Sequence, residues 1–304
     1  MRSFRFFALS GTVAATFTAL LGSWVRISGA GLACPDWPLC HGALVPVLQG
    51  GVLLEWSHRA AALVVSLLAA GTAVTGWRLR HRVAGLGPAL AALAAVFALQ
   101  VMLGGLTVKL ANSPLSVALH WGTAMALLGV FATLATLALL GAAPRRLEGS
   151  ALGPALAAAL AFATMCVGAY VSSSHAGLAC PAFPACDGTL VGRDGAQFVQ
   201  MLHRTLAAAL AGVAIFTLLA RPVTPSRVRA FAGIGALLVA LQIALGAANV
   251  LWALPVAARA AHAAVAPLIF IAFVVAATLA AFEPVRTEAL APAAGPQPAG
   301  ATGA

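Results

Sequence analysis

Charged residues are scarce in this 304-residue chain: Asp, Glu, Lys and Arg make up only 8% of it, whereas 62% is hydrophobic. A soluble domain carries roughly 25% charged residues. This deficit excludes a soluble globular protein, so most of the surface is expected to face membrane lipid. The net charge of +10, from 17 basic and 7 acidic residues, does not indicate a nucleic-acid partner. The basic residues are scattered between apolar runs and form no basic patch.

The sequence contains long runs of apolar residues. A helix needs about 20 apolar residues to cross a bilayer. Eight runs approach that length, at residues 7–26, 59–77, 87–108, 117–142, 151–171, 203–220, 230–252 and 260–282. The sequence therefore predicts an all-α membrane protein with eight transmembrane helices. The first run is too long for a typical signal peptide and follows no Arg- and Ser-rich leader, which favours a bacterial plasma membrane.

The distribution of basic residues predicts the orientation. Eleven arginines lie on the side of the two termini, and six basic residues lie on the opposite side. Because cytoplasmic loops are enriched in Lys and Arg, both termini are expected in the cytoplasm. The tail, residues 288–304, consists mainly of Ala, Pro and Gly and is expected to be disordered.

The chain also repeats itself. Residues 24–45 and 170–191 share Gly-Leu-Ala-Cys-Pro at an offset of 146, and His58-Arg59 recurs as His203-Arg204. A duplicated unit with an even number of spans enters the membrane in the same sense twice. We therefore expect two tandem four-helix bundles, residues 1–143 and 144–287, related by a parallel pseudo-twofold axis rather than an inverted repeat.

Four histidines lie at the outer ends of the even-numbered spans: His58, His120, His203 and His262. A single one would be read as a packing residue, but a polar side chain in a bilayer normally faces the bundle interior. Two pairs that recur at matching depth favour metal ligation. Paired imidazoles on facing helices of a four-helix bundle can hold haem iron axially, whereas zinc would need three or four ligands.

Four residues near the histidines, two in each half, carry polar or charged side chains. Glu55 lies one helical turn before His58, and its counterpart before His203 is Gln200. A carboxyl group beside a haem can transfer protons and Gln cannot, so catalysis is expected in the first half; the alternative is that Glu55 caps its helix. Arg59 and Arg204 are expected to neutralise haem propionates, or else to be arginines at the membrane interface.

Four of the five cysteines form two C-x5-C pairs, Cys34 with Cys40 and Cys180 with Cys186. Both fall in loops on the expected outer side, where disulfides persist. We expect structural disulfides that shape a lid over each haem pocket. A redox-active thiol pair is the alternative, although the tight C-x-x-C geometry typical of such pairs is missing. Cys166, within the fifth span, is interpreted as a packing residue.

Together these segments resemble the haem A synthase family. The resemblance rests on GLACPDWPLCHG, EWSHR, QVMLGGLTV and the histidine of ALHW, and it covers nearly the whole chain. It implies oxidation of the C8 methyl group of haem O to a formyl group by successive hydroxylations. It further implies that His58 and His120 hold the substrate haem, that His203 and His262 ligate a haem b cofactor, and that Glu55 matches an essential glutamate.

The same resemblance implies partners, namely haem O synthase and assembly factors of cytochrome oxidase, the enzyme that receives haem A. Two other functions remain open from the residues themselves. A dihaem electron carrier of the cytochrome b type would share the four histidines, although Glu55 beside only one pair speaks against it. A membrane thiol–disulfide oxidoreductase would use the outer cysteines but leave the histidines unexplained.

Overall fold

The computed structural model describes residues 1–141, 151–219 and 226–282, and its regular structure there is helical. Eight long helices follow one another: α1 (Arg2–Ile27), α2 (Gly50–Trp77), α3 (Leu86–Lys109), α4 (Pro114–Leu140), α5 (Leu152–Ser173), α6 (Gly195–Leu219), α7 (Ser226–Leu251) and α8 (Val256–Phe282). Each is long and apolar enough to cross a bilayer. The predicted all-α membrane protein with eight transmembrane helices is confirmed.

Two helices begin much earlier than the apolar runs predict. Helix α2 starts at Gly50 instead of residue 59, and α6 starts at Gly195 instead of residue 203. Their first turns carry polar side chains that bond to the cysteine loops, so these turns need no lipid contact. Hydropathy detects only the lipid-facing part of a helix, which explains why the predicted starts were too late.

Both halves have the same neighbour pattern. Helix α1 packs against α2 and α4, and α3 packs against α4; in the second half α5 packs against α6 and α8, and α7 against α8. The halves meet mainly through α4, which contacts both α5 and α8. Phe131 of α4 and Phe273 of α8 are fully buried. Helix α4 therefore lies at the centre of the molecule.

One contact at this interface joins repeat-equivalent positions. Nη1 of Arg26 in α1 donates a hydrogen bond of 2.6 Å to Oγ of Ser172 in α5, and the two residues are 146 positions apart. Equivalent residues of two related units can touch only near the axis that relates them. The contact supports the predicted parallel pseudo-twofold relation, which stays a prediction. The boundary at residues 143 and 144 and the tail at 288–304 lie outside the described residues.

Candidate functional site

All four predicted histidines lie at the same end of the molecule, next to the cysteine loops. Each is roughly two turns from the start of its even-numbered helix. The rings of His203 and His262 are 6.3 Å apart between centroids and are inclined by 68°. His58 and His120 lie within electrostatic reach of each other in the first half. The structure thus brings together the partners that the repeat predicts.

Each imidazole rests against a glycine of a neighbouring helix. A Cβ added to Gly22 would lie 2.7 Å from Cε1 of His58, and one added to Gly168 would lie 2.7 Å from Cε1 of His203. A Cβ added to Gly104 would lie 3.1 Å from Cε1 of His120, and one added to Gly246 would lie 3.3 Å from Cε1 of His262. Sequence reasoning missed this role of the glycines. The signal was present, because Gly22 and Gly168 are separated by the repeat offset of 146.

The hydrogen bonding of His203 prepares it to act as a ligand. Its Nδ1 lies 3.0 Å from the carbonyl oxygen of Thr164. A carbonyl only accepts, so Nδ1 carries the proton and the lone pair of Nε2 is free for a metal. The Thr18 carbonyl faces His58 in the equivalent place but does not reach full hydrogen-bond geometry, and Nδ1 of His58 has no partner among the described residues.

The residues of the second half fit a haem iron. Two metal–imidazole bonds of about 2 Å, with each ring centre about 1 Å beyond its nitrogen, require ring centres roughly 6 Å apart. The separation of 6.3 Å between the His203 and His262 rings meets this requirement. Both rings are held in the bundle interior on facing helices, as axial ligands of haem are.

Glu55 is buried and both of its carboxylate oxygens are bonded. Oε2 accepts a hydrogen bond of 2.8 Å from the backbone N–H of Cys34, and Oε1 lies 2.7 Å from Nη2 of Arg59. Helix α2 begins at Gly50, five residues earlier, so the alternative that Glu55 caps the helix is wrong. The carboxylate instead joins the cysteine loop to the helix that carries His58.

Gln200 makes the equivalent contact in the second half. Its Oε1 accepts a hydrogen bond of 2.6 Å from the backbone N–H of Cys180, and its Nε2 donates to the carbonyl of Gly177 at 2.8 Å. The amide therefore reproduces the bond that Glu55 makes to its own loop. What the second half lacks is a group that can ionise at this position.

Arg59 and Arg204 anchor the cysteine loops by equivalent bonds. Nη1 of Arg59 donates to the carbonyls of Asp36 and Leu39, and Nη2 donates to Cys34. Arg204 donates to carbonyls of the second loop, at Ala182, Pro184, Ala185 and Cys180. These bonds give both guanidinium groups a structural role. Their contact with haem propionates stays a prediction.

The loops are closed by the expected disulfides. The S–S distances are 1.97 Å for Cys34–Cys40 and 2.08 Å for Cys180–Cys186. The indole of Trp37 in the first loop lies against Gly105 of α3, where a Cβ would come within 3.0 Å of the ring. The first loop, bonded to α2 and in contact with α3, thus lies across the end of its bundle.

Comparison with known proteins identifies the family of the chain. The profile of the COX15-CtaA family, described as cytochrome oxidase assembly protein, matches residues 5–52 and 49–274. A relative from Bacillus pumilus is 32% identical over 219 residues, which cover 64% of this chain and 69% of that protein. A relative from Symbiobacterium thermophilum is 32% identical over 228 residues, 69% of this chain and 74% of that protein. Both are named heme A synthase.

The chain belongs to the COX15-CtaA family. A third relative, from Bacillus licheniformis and also named heme A synthase, is 30% identical over 207 residues, which cover 64% of this chain and 68% of that protein. The family profile spans both halves, including all four histidines and both cysteine loops.

In this member of the family, two glutamines support the histidine helices from the odd-numbered side. Oε1 of Gln100 accepts a hydrogen bond from the hydroxyl of Thr123 in α4. Nε2 of Gln242 donates to the backbone carbonyl of His262 at 3.0 Å. Each glutamine therefore joins an odd-numbered helix to the histidine-bearing helix of its own half.

Proposed function

We propose that this chain is a haem A synthase, an oxidoreductase that converts the C8 methyl group of haem O into a formyl group. The observation that carries the proposal is the pairing of histidines in both halves, with an ionisable carboxylate at only one pair. Two equivalent haem sites of which only one has a proton-transferring neighbour suit an enzyme better than a symmetrical carrier. The family and its named relatives support the same activity.

The two pairs have different roles in this proposal. His58 and His120 would hold haem O in the first half. There, two successive hydroxylations, each a two-electron oxidation that requires an external oxidant, would convert the methyl group into a geminal diol, which loses water to give the formyl group. His203 and His262 would hold haem b, which supplies one-electron transfer when bound. The Nδ1–H bond from His203 to the Thr164 carbonyl fixes the tautomer of the ring and leaves the Nε2 lone pair free to bind the iron.

Glu55 would act as the proton-handling group of the first half. It lies one turn before His58 on the same helix face, and its ion pair with Arg59 orients the carboxylate. A carboxylate that already bonds to the loop backbone cannot swing freely, so its position relative to the substrate haem is fixed. Gln200 supplies the same shape without the charge.

The proposed placement follows from the same residues. The chain spans a bacterial plasma membrane with both termini in the cytoplasm and the cysteine loops outside, so both haem sites lie near the outer surface. Haem O synthase would deliver the substrate, and assembly factors of cytochrome oxidase would receive the product. The positive-inside distribution of basic residues supports this orientation.

Haem analysis tests the proposal. The chain is expressed in a host that makes haem O but lacks its own haem A synthase, and pigments are extracted from the membranes. We expect haem A to appear only when the chain is present. The purified chain should contain haem b together with haem O or haem A. A preparation that contains haem b alone and yields no haem A would instead establish a dihaem electron carrier.

A further inference from the structure

Among the described residues, two arginines at the interface between the halves have no acidic partner. Arg26 of α1 bonds to the hydroxyl of Ser172, and it lies close enough to Arg259 of α8 for the two charges to act on each other. Both side chains are partly buried. Among the residues that the structure describes, the single ion pair is the one between Arg59 and Glu55.

Helical register places Arg259 next to the second histidine pair, and the hydrogen bond to Ser172 brings Arg26 to the same level. Arg259 precedes His262 by three residues, which is one turn towards the loop end on the same face of α8. Ser172, which accepts the bond from Arg26, follows Gly168 by four residues on α5. Gly168 is the glycine against which His203 rests. The two guanidinium groups therefore lie one turn outside the His203–His262 pair.

Two neighbouring arginines arranged in this way would bind an anion. Two like charges in a partly buried place repel each other more strongly than they would in water, and a bound negative charge removes the penalty. Arg59 and Arg204, the arginines that directly follow His58 and His203, already donate to loop carbonyls. A haem carries two carboxylates on one edge of its ring, and the guanidinium group suits carboxylates because its parallel N–H bonds match their geometry.

We propose that Arg26 and Arg259 bind the propionate carboxylates of the haem held by His203 and His262. This inference rests on the proposed function, because it requires a haem in the second half. It also means that the second site is incomplete without the first half, which contributes Arg26. The bond from Arg26 to Ser172 positions the guanidinium group across the interface.

The proposal is tested by changing the arginines of the protein and the propionates of the ligand, separately and together. The full chain carrying His120→Ala, which leaves only the second pair intact, is purified without haem. It is then titrated with haem b and with the dimethyl ester of haem b, whose propionates carry no charge. We expect the chain to bind haem b at least about tenfold more tightly than the ester, because charge-assisted hydrogen bonds are lost with the ester.

Adding Arg26→Gln or Arg259→Gln should remove most of that preference, whereas Arg193→Gln, in an exposed outer loop, should leave it unchanged. Retention of the preference in both interface variants would overturn the proposal. If anionic lipid headgroups were the true ligand, the variants would differ from the parent chain only after reconstitution with phosphatidylglycerol, and not in lipid-free neutral detergent. That result would also overturn it.

A second measurement uses the otherwise unaltered chain in case the His120→Ala protein does not fold. Arg26→Gln and Arg259→Gln should each lower the midpoint potential of the resident haem b, because a nearby positive charge favours the reduced, less positive iron. Arg193→Gln should not change it. An unchanged potential in both interface variants would refute the proposal, whereas a chain without any bis-histidine haem would refute the proposed function itself.

Discussion

Glu55 and Arg59 form an ion pair of 2.7 Å at the point where the first cysteine loop meets helix α2. The two residues are four positions apart, about one turn of the helix. Each partner also bonds to Cys34: the carboxylate accepts from its N–H, and the guanidinium group donates to its carbonyl. Helix, loop and carboxylate are thereby fixed as one unit beside His58. In the second half Gln200 and Arg204 hold Cys180 in the same way without an ion pair.

The first prediction concerns Glu55. The variant Glu55→Gln should bind haem at normal levels but form no haem A, because an amide keeps the bond to Cys34, as Gln200 shows, and cannot transfer protons. Haem extraction from the complemented host measures the product. Gln200→Glu is the matched control and should leave haem A formation within about twofold of normal. Normal haem A formation by Glu55→Gln would place catalysis elsewhere.

The second prediction concerns the cofactor pair. His203→Ala and His262→Ala should each abolish the low-spin absorption of the second-half haem, because one axial ligand is lost. His41→Ala is a suitable control, since His41 lies in an exposed loop and bonds only to the Ala33 carbonyl and Asp36. Optical spectra of the purified variants measure the loss of this absorption. Two unchanged spectra would mean that these histidines do not ligate iron.

The third prediction concerns the glycines under the histidines. Gly22→Ala and Gly168→Ala should lower haem occupancy in their own half by about tenfold or more, because the new Cβ would come within 2.7 Å of the imidazole and displace the ring. Gly212→Ala in α6 meets no neighbour within 4 Å and should bind haem normally, with a gain of about 0.5–1 kcal/mol in helix stability. Haem-to-protein ratios measure the difference; equal ratios in all three variants would show that the contact has no importance.

The fourth prediction separates a structural disulfide from a redox couple. Replacing Cys34 and Cys40 by Ser should reduce the free energy of unfolding by about 2 kcal/mol, as expected for closing a short ring, while haem A formation continues at reduced yield. Thermal unfolding and haem extraction give the two readouts. Complete loss of activity in a chain of normal stability would favour electron transfer through the thiols.

The fifth prediction is a pH dependence limited to the first loop. Hydrogen bonds from the backbone N–H of Gly42 and of His41 hold the pKa of the exposed Asp36 carboxyl below its usual range. A lowered pKa in the folded state means that the stabilisation is present at neutral pH and is lost as the pH falls through that pKa. The equivalent residue in the second loop is Ala182.

Acid should therefore expose the Cys34–Cys40 disulfide before the other one. We expect a phosphine reductant, which remains active in acid, to reduce Cys34–Cys40 faster relative to Cys180–Cys186 below about pH 4 than at pH 7. Mass spectrometry of alkylated peptides measures both rates in one sample. The variant Asp36→Asn should remove this change in ratio. A ratio that is independent of pH in the parent chain would contradict the prediction.

Composition was enough to establish the eight-helix membrane architecture, whereas the tandem arrangement that the internal repeat predicts stays a prediction. The chain has eight long apolar runs and only 8% charged residues, so these runs are expected to lie in lipid. Within the bilayer every backbone polar group must be hydrogen-bonded inside the protein, and a run of about 20 residues achieves this as a helix. The recurrence of His58 and His120 as His203 and His262 identified the candidate ligands without coordinates. These features are local or periodic, so they can be recognised in the amino-acid sequence.

Contacts between distant segments could be learned only from the tertiary structure. The hydrogen bonds from Cys34 to Glu55 and from Arg59 to the loop carbonyls join residues about 20 positions apart, and that from Arg26 to Ser172 joins two halves of the chain. Each depends on where a helix ends and how it is rotated against its neighbour. Residue type fixes what a side chain can bond to, whereas packing of the helices decides which partner comes within about 3 Å of it.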